Sequence, residues 1–175
     1  LPHCSMVLGN HDLWALEWGE SGLAPDIWVH QGGRQTIDSY GDAGMPGEHV
    51  HFLSSASLWL EADSNLFVHG GFDPDIPLES QSRETFLWDR SLLQRLWYAC
   101  RGGKSYHIGS WRNVFVGHTP TTIFNSRRPL RLGNLFALDT GAGWSGCLTI
   151  LDTESLHWWQ SDPSSRLYPG VRARG

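Results

Sequence analysis

The sequence is poor in cysteine, in charge and in long hydrophobic runs, and each shortage argues against a class of protein. Its 175 residues include three cysteines, Cys4, Cys100 and Cys147, which lie far apart in the chain. An odd, widely spaced set does not suggest a disulfide framework or a C-x-x-C zinc site, so we expect a reducing, cytoplasmic compartment. No apolar stretch approaches the length of a membrane-spanning helix, so no membrane partner is expected.

The overall composition is that of a folded domain without a nucleic-acid-binding surface. Charged residues make up 18% of the chain and the net charge is −5, so the basic patch that nucleic acid requires is not expected. Hydrophobic residues make up 40%, which is enough for one sizeable core. We therefore predict a single domain over residues 1–175.

Three segments place metal-capable side chains directly after apolar runs. Because ligands bind at the carboxyl edge of the strands in open α/β sheets, we expect these side chains to lie at one such edge. Amide oxygens and imidazole nitrogens are common ligands of divalent metals. We expect Gly9 to allow a sharp turn after the first run. The segments are Gly9-Asn10-His11-Asp12, Val68-His69-Gly70-Gly71 and Gly117-His118-Thr119-Pro120.

The spacing of apolar residues predicts alternating helices and strands. Helices are predicted over residues 11–18, 35–40, 46–53 and 82–100, the last broken near Arg90. Strands are predicted over residues 5–8, 58–62, 66–69, 113–116, 135–138, 147–151 and 156–159, and residues 19–33 are predicted to be a loop. Such an order favours a layered α/β sandwich.

The order G-N-H-D, V-H-G-G and V-G-H-T-P resembles the calcineurin-like metallophosphoesterases, especially the bacterial and phage serine/threonine phosphoprotein phosphatases. The likeness extends through Leu87-Trp88-Asp89-Arg90 and Leu138-Asp139-Thr140-Gly141-Ala142. It implies two packed, mixed β-sheets flanked by helices. The family motifs D-x-H and G-D-x-x-D-R-G, which precede G-N-H-D, do not occur here. We therefore expect the chain to be the C-terminal portion of such a domain, with the N-terminal βα units missing.

The resemblance also implies a site for two divalent metal ions, which would be Mn, Fe or Zn. Asn10, His69 and His118 would ligate one metal, whereas the absent upstream acids would bridge the pair and, with an absent His, hold the other. We therefore expect the chain alone to bind metal poorly and to lack catalytic competence. His11 would protonate the leaving-group oxygen, a task that suits imidazole. Arg90 would grip the substrate phosphate, since guanidinium can bind two of its oxygens.

The expected function is that of a metal-dependent phosphomonoesterase of the phosphoprotein phosphatase type. Its substrate would be a phosphoprotein or a small phosphoester, attacked by water activated between two metals. One alternative is a dinucleoside polyphosphate hydrolase, which shares G-N-H-D and G-H-T. Another is a truncated, non-catalytic protein that binds phosphorylated partners. The W-x-R and D-T-G-A patterns favour the phosphatase.

Several residues near these motifs have two interpretations. Asp139 would either orient a ligand histidine or serve as a turn residue. Trp144 would either pack against its neighbours, which we favour, or line the substrate cleft. The glycines of the histidine motifs, Gly70, Gly71 and Gly117, are expected to permit close backbone approach at the site.

Overall fold

A computed structural model of the chain describes residues 4–170, which contain a five-stranded mixed sheet, a two-stranded sheet and surrounding helices. The strands are β1 Trp59–Ala62, β2 Asn65–Val68, β3 Asn113–Val116, β4 Leu130–Leu132, β5 Leu135–Ala137, β6 Thr149–Leu151 and β7 Trp158–Gln160. The α-helices are α1 Asn10–Ser21, α2 Asp26–Trp28, α3 Arg34–Tyr40, α4 Gly47–Ser54, α5 Arg83–Trp88, α6 Ser91–Arg101 and α7 Ser164–Leu167. Short 3₁₀ turns lie at Gly41–Ala43, Leu78–Ser80 and Thr121–Phe124.

Three parallel strands form the centre of the larger sheet, whose order is β1-β2-β3-β5-β4. β2, β3 and β5 run parallel, while β1 and β4 are antiparallel edges. The second sheet, β6 with β7, is an antiparallel pair. The prediction of an α/β fold with a mixed sheet is confirmed. The second sheet was expected to be mixed, but in residues 4–170 it consists of two antiparallel strands.

Both faces of the central strands are covered, which explains their nearly continuous apolar sequences. Leu66, Val114 and Leu135 are fully buried on one face, where α5 and α6 contribute to the main core. On the other face Phe67, Phe115 and Phe136 form a cross-strand row, with ring centroids 5.0 and 5.3 Å apart. This packing fixes the strand register and therefore the positions of the residues that follow each strand.

The segments with clear turn or capping residues fold as predicted. The β1–β2 hairpin turns at Asp63 and Ser64, whose φ angles of 49° and 62° suit a tight turn. The expected break in the 82–100 helix lies between α5 and α6 at Asp89 and Arg90. The Ser82 hydroxyl accepts a hydrogen bond from the Thr85 N–H and begins α5.

Residues 19–33 are mostly helical, so the loop predicted there is wrong. α1 continues to Ser21, and α2 passes into α3 through a wide turn over Val29–Gly33. The rings of Trp18 and Trp28 pack 6.0 Å apart in a small cluster beside the sheet. Burial of these rings stabilises helices that the glycines would otherwise disfavour.

Two strand predictions also need correction. Residues 5–8 form no strand and contribute only an isolated bridge between Val7 and Ser57. The edge strand β4 was not predicted, because its three residues carry too short a pattern. Within residues 4–170, no helix has both the length and the apolar character needed to cross a bilayer.

Candidate metal and phosphate site

The candidate site lies at the carboxyl edge of the three parallel strands. His69 directly follows β2, His118 comes two residues after β3, and Asp139 comes two residues after β5. The Gly117 N–H donates to the His69 carbonyl at 2.8 Å, which extends the β2–β3 pairing beyond the strands. Strand register therefore brings together two histidines that are 49 residues apart in the sequence.

Asn10 and His118 each bring a potential ligand atom close to Nε2 of His69. Nε2 of His69 lies 2.9 Å from Oδ1 of Asn10 and 3.2 Å from Nδ1 of His118. Atoms bound to one metal at about 2.0–2.2 Å lie roughly 3.0–3.4 Å from one another. A neutral imidazole carries one proton, so Nε2 of His69 can donate to only one of these two neighbours. The spacing therefore fits a shared cation.

Both imidazoles are held in their neutral, ligating form. Burial lowers the pKa of His69 to about 3, aided by positive charge on His118, His11 and Arg90. Burial is also the main reason that the pKa of His118 falls to about 4, with further lowering by Arg90 and His11. Both side chains thus keep a lone pair for metal at neutral pH.

Gly9 makes room for His69 rather than forming a sharp turn. Its φ of −99° and ψ of 166° are extended backbone that other residues also adopt, so the turn explanation is wrong. A Cβ on Gly9 would lie 2.9 Å from both Nδ1 of His69 and Oδ2 of Asp12. The same Asp12 carboxylate accepts the Gly9 N–H at 2.9 Å and caps α1, so Asn10 and His69 are positioned together.

The Gly70-Gly71 pair allows the α5–α6 junction to approach the site. A Cβ on Gly70 would lie 2.9 Å from the Phe86 carbonyl oxygen, and one on Gly71 would collide with the Asp89 carboxylate. This approach brings Arg90, which follows Asp89, to the same cavity as the histidines. Gly117 differs from the prediction, because a Cβ there would meet nothing closer than 3.5 Å.

His118 occupies a strained backbone conformation. Its φ is 60°, and the Thr119 N–H donates to the Gly117 carbonyl at 2.5 Å across it. This is the rarer form of γ-turn, which side-chain-bearing residues seldom adopt. Within residues 4–170, buried Nε2 of His118 has no hydrogen-bond partner. Strain and an unpaired nitrogen at one residue are typical of a functional position.

One cavity of about 200 Å³ joins all five predicted site residues. Asp139 also lines it, and its carboxylate accepts the Gly141 N–H at 2.9 Å, so it does serve as a turn residue. Trp144 lines the cavity and is 45% exposed, so the packing interpretation is wrong. The full predicted set is Asn10, His11, His69, Arg90 and His118.

Gln31 also lines the cavity, which it reaches from the wide turn after α2, and no sequence motif marks it as a site residue. The available signal was the Gly32-Gly33 pair. Adjacent glycines interrupt a helix and change the direction of a neighbouring side chain. The local pattern does not indicate which element that side chain will approach.

The residues present fit one divalent metal better than two. Across residues 4–170, no group of three or more His, Cys, Asp or Glu is placed to hold a metal. A metal at this point would need Asn10 as the third ligand beside His69 and His118. Two imidazoles and an amide give a neutral ligand set suited to borderline metals.

Comparisons with known proteins support the fold. No protein-family model and no curated protein sequence matches the chain. The crystal structure of a candidate diadenosine tetraphosphatase superposes with a TM-score of 0.59 at 14% identity, covering 95% of this chain and 70% of that one. A metallophosphoesterase from Sphaerobacter thermophilus gives 0.49 at 16% identity, covering 93% of this chain and 67% of that one. The chain therefore has an α/β fold similar to that of the candidate diadenosine tetraphosphatase.

Proposed function

We propose that this chain forms the metal-binding and phosphate-binding part of a metal-dependent phosphomonoesterase, of the serine/threonine phosphoprotein phosphatase type. The observation that carries the proposal is the convergence of Asn10, His69 and His118 beside Arg90 and His11 in one cavity. The metallophosphoesterase-like fold supports it. The substrate would be a phosphoprotein or a small phosphoester.

The proposed ligands are Oδ1 of Asn10, Nε2 of His69 and Nδ1 of His118. A divalent metal held there, Mn, Fe or Zn, would polarise a phosphoryl oxygen and lower the pKa of water. A second metal would need carboxylate ligands, and no cluster of them lies in the described part of the chain. The metal site of residues 4–170 is therefore a half-site in this proposal.

Arg90 would bind the phosphoryl group, and His11 would donate a proton to the leaving-group oxygen. The guanidinium of Arg90 lies in a cavity with neutral histidines and stabilises the charge that develops on the phosphoryl oxygens. Water attacks phosphorus, the ester P–O bond breaks, and His11 donates a proton to the departing oxygen. The products are inorganic phosphate and an alcohol.

Hydrolysis of two substrates tests this proposal. A phosphoserine peptide and diadenosine tetraphosphate are each incubated with the protein and Mn²⁺, with His69→Ala as the matched inactive control. Phosphate release from the peptide, lost in the variant, supports the phosphatase. Release that does not depend on His69 or on Mn²⁺ contradicts the proposal.

A second candidate function is hydrolysis of dinucleoside polyphosphates. The similarity in fold to a candidate diadenosine tetraphosphatase favours it, since the same edge of the same kind of sheet would carry the site. Cleavage of diadenosine tetraphosphate without cleavage of the peptide would support this reaction. Binding of the phosphopeptide with no turnover of either substrate would instead favour a non-catalytic phosphate-binding role.

A further inference from the structure

Gln31 and Trp144 line the same cavity as His11 and Arg90 but neither ligates metal nor transfers a proton in the proposed chemistry. They come from separate parts of the fold, Gln31 from the turn after α2 and Trp144 from the loop between β5 and β6. Their side chains thus add an amide and an indole to the site of the proposed metal ligands, His11 and Arg90.

The indole of Trp144 is exposed although its backbone is anchored. The Trp144 N–H donates to the Gly141 carbonyl at 2.9 Å, and its own carbonyl accepts from the Ser164 hydroxyl at 3.3 Å. The side chain is nevertheless 45% exposed, and no other ring within residues 4–170 packs against it. A large aromatic ring held at a cavity rim in this way can cover a planar group of a ligand.

The position of Gln31 is fixed by a built-in kink. Gly32 adopts a φ of 104°, and a Cβ on Gly33 would lie 2.5 Å from the buried ring of Trp28. The chain therefore turns out of α2 at this point and presents Gln31 to the cavity. Within residues 4–170, the Gln31 amide has no hydrogen-bond partner, so a donor and an acceptor remain available to a ligand.

The size and charge of the cavity limit what these two residues can contact. Its volume is about 200 Å³, and a single benzene ring fits a cavity of about 150 Å³. The guanidinium of Arg90 suits an anion, whereas the indole of Trp144 suits a flat apolar ring. The cavity can take a phosphoryl group with one ring and is too small to enclose a whole dinucleoside polyphosphate.

We propose that Trp144 and Gln31 form a leaving-group subsite for a planar aromatic ring, so that aryl phosphate esters are favoured among the small phosphoesters that the proposed function includes. The ring stacks on the indole, and the Gln31 amide contacts polar atoms at its edge. This inference rests on the proposed function, since it places the ring beside a phosphoryl group bound by Arg90.

Two phosphonates that cannot be hydrolysed test the subsite by binding alone. Calorimetric titration with phenylphosphonate and methylphosphonate, in Mn²⁺, separates the ring from the anion that both ligands share. In the wild-type protein we expect phenylphosphonate to bind about tenfold more tightly. Trp144→Ala should remove that preference, Trp144→Phe should keep most of it, and methylphosphonate affinity should change less than about twofold.

Trp159→Ala is the matched control, because Trp159 is 54% exposed on β7 and does not line the cavity. It should leave both affinities unchanged. The phosphonate analogue of adenosine 5′-phosphate tests whether the bound ring can be a purine. If it binds more tightly than phenylphosphonate and this binding depends on Trp144, the ring of the natural ligand is a nucleobase. If it binds more weakly, the ring is a single-ring aryl group.

The possible failures are distinguishable. Equal affinity for the two simple phosphonates in the wild-type protein would overturn the subsite and leave the phosphate site standing. An equal loss of both affinities in Trp144→Ala would show that Trp144 only shapes the cavity, which also overturns the subsite. No binding of either ligand would overturn the proposed phosphate site and the subsite together.

Discussion

Nε2 of His69 lies 2.9 Å from Oδ1 of Asn10, although the two residues are 59 positions apart. The strand end after β2 and the first turn of α1 meet at this contact. Nδ1 of His118 lies 3.2 Å from the same nitrogen. Each predicted ligand thus depends on backbone elements that only tertiary packing brings together.

Removing a ligand should have a different effect from removing the proposed proton donor. His69→Ala and His118→Ala should abolish binding of Zn²⁺ or Mn²⁺, because each removes a converging nitrogen. His11→Ala should leave the metal affinity within about twofold and, in an active enzyme, slow turnover about 100-fold or more. Metal binding is measured by calorimetry and turnover by phosphate release.

His51→Ala is the control for these variants, since His51 is exposed on α4 and lies outside the cavity. It should bind metal like the wild-type protein. Loss of metal in His11→Ala with retention in the other two would show that the roles are assigned wrongly.

Gly9→Ala should weaken metal binding without removing any ligand. The new methyl group would lie 2.9 Å from the His69 ring and from the Asp12 carboxylate that caps α1. Displacement of His69 should lower the metal affinity about tenfold, as for other changes that misplace a ligand. Competition with a chromophoric chelator measures the affinity. Gly47→Ala is the control, because a Cβ there meets nothing within 4 Å; an unchanged affinity in Gly9→Ala would contradict this packing argument.

Gly70→Ala should destabilise the fold and displace Arg90. Its Cβ would lie 2.9 Å from the backbone oxygen of Phe86 and 3.1 Å from that of Asp89, and neither can rotate away. We expect a loss of about 1–3 kcal/mol in the free energy of unfolding, together with weaker binding of inorganic phosphate. Urea titration and calorimetry measure the two effects. Gly117→Ala, with its nearest contact at 3.5 Å, should cost much less; an equal loss in both variants would contradict this account.

Metal affinity should remain nearly constant from pH 8 down to about pH 5. An ordinary imidazole has a pKa of about 6.5, so protons would normally compete with metal well above pH 5. Burial lowers the pKa of His69 to about 3 and that of His118 to about 4, so competition should begin only near those values. Zinc titrations across this range are the test, and a loss of affinity centred near pH 6.5 would refute the prediction.

The stability of the metal-free protein should fall with acid over the same window. The folded pKa values of His69 and His118 lie below those of the unfolded chain, so the unfolded state binds more protons from about pH 6.5 down to pH 4 and below. The free energy of unfolding therefore decreases as the pH falls through this range. Replacing both histidines with Gln should flatten that dependence in urea titrations, and an unchanged slope would count against it.

Local patterns were enough to predict most of the core. The alternation and runs of Val, Leu and Phe predict the central strands, and the turn residues Asp63 and Ser64 predict the hairpin between β1 and β2. The site motifs were also recognisable, because a small residue and a metal-capable side chain follow two of those strands. These signals are local, so they do not depend on which elements later become neighbours.

The helical region before β1 was predicted less well. Trp18 and Trp28 stabilise helices by packing against each other, and the neighbours of Trp28 in the sequence indicate a loop. The same packing fixes the turn that presents Gln31 to the cavity. The sequence around Gln31 does not predict that its side chain lines the same cavity as His118. That placement depends on how the cluster around Trp18 and Trp28 packs against the rest of the fold.

The sequence by itself determined the types of residue and their order, with metal-capable side chains beside glycines at Asn10, His69 and His118. The tertiary structure alone decided that Asn10 and His118 lie close to His69. It also decided that a side chain at Gly9 or Gly70 would collide with neighbouring groups, and that Trp144 remains exposed. The physical reason is that distances between elements depend on strand register and on packing between distant side chains, which no local stretch of sequence encodes.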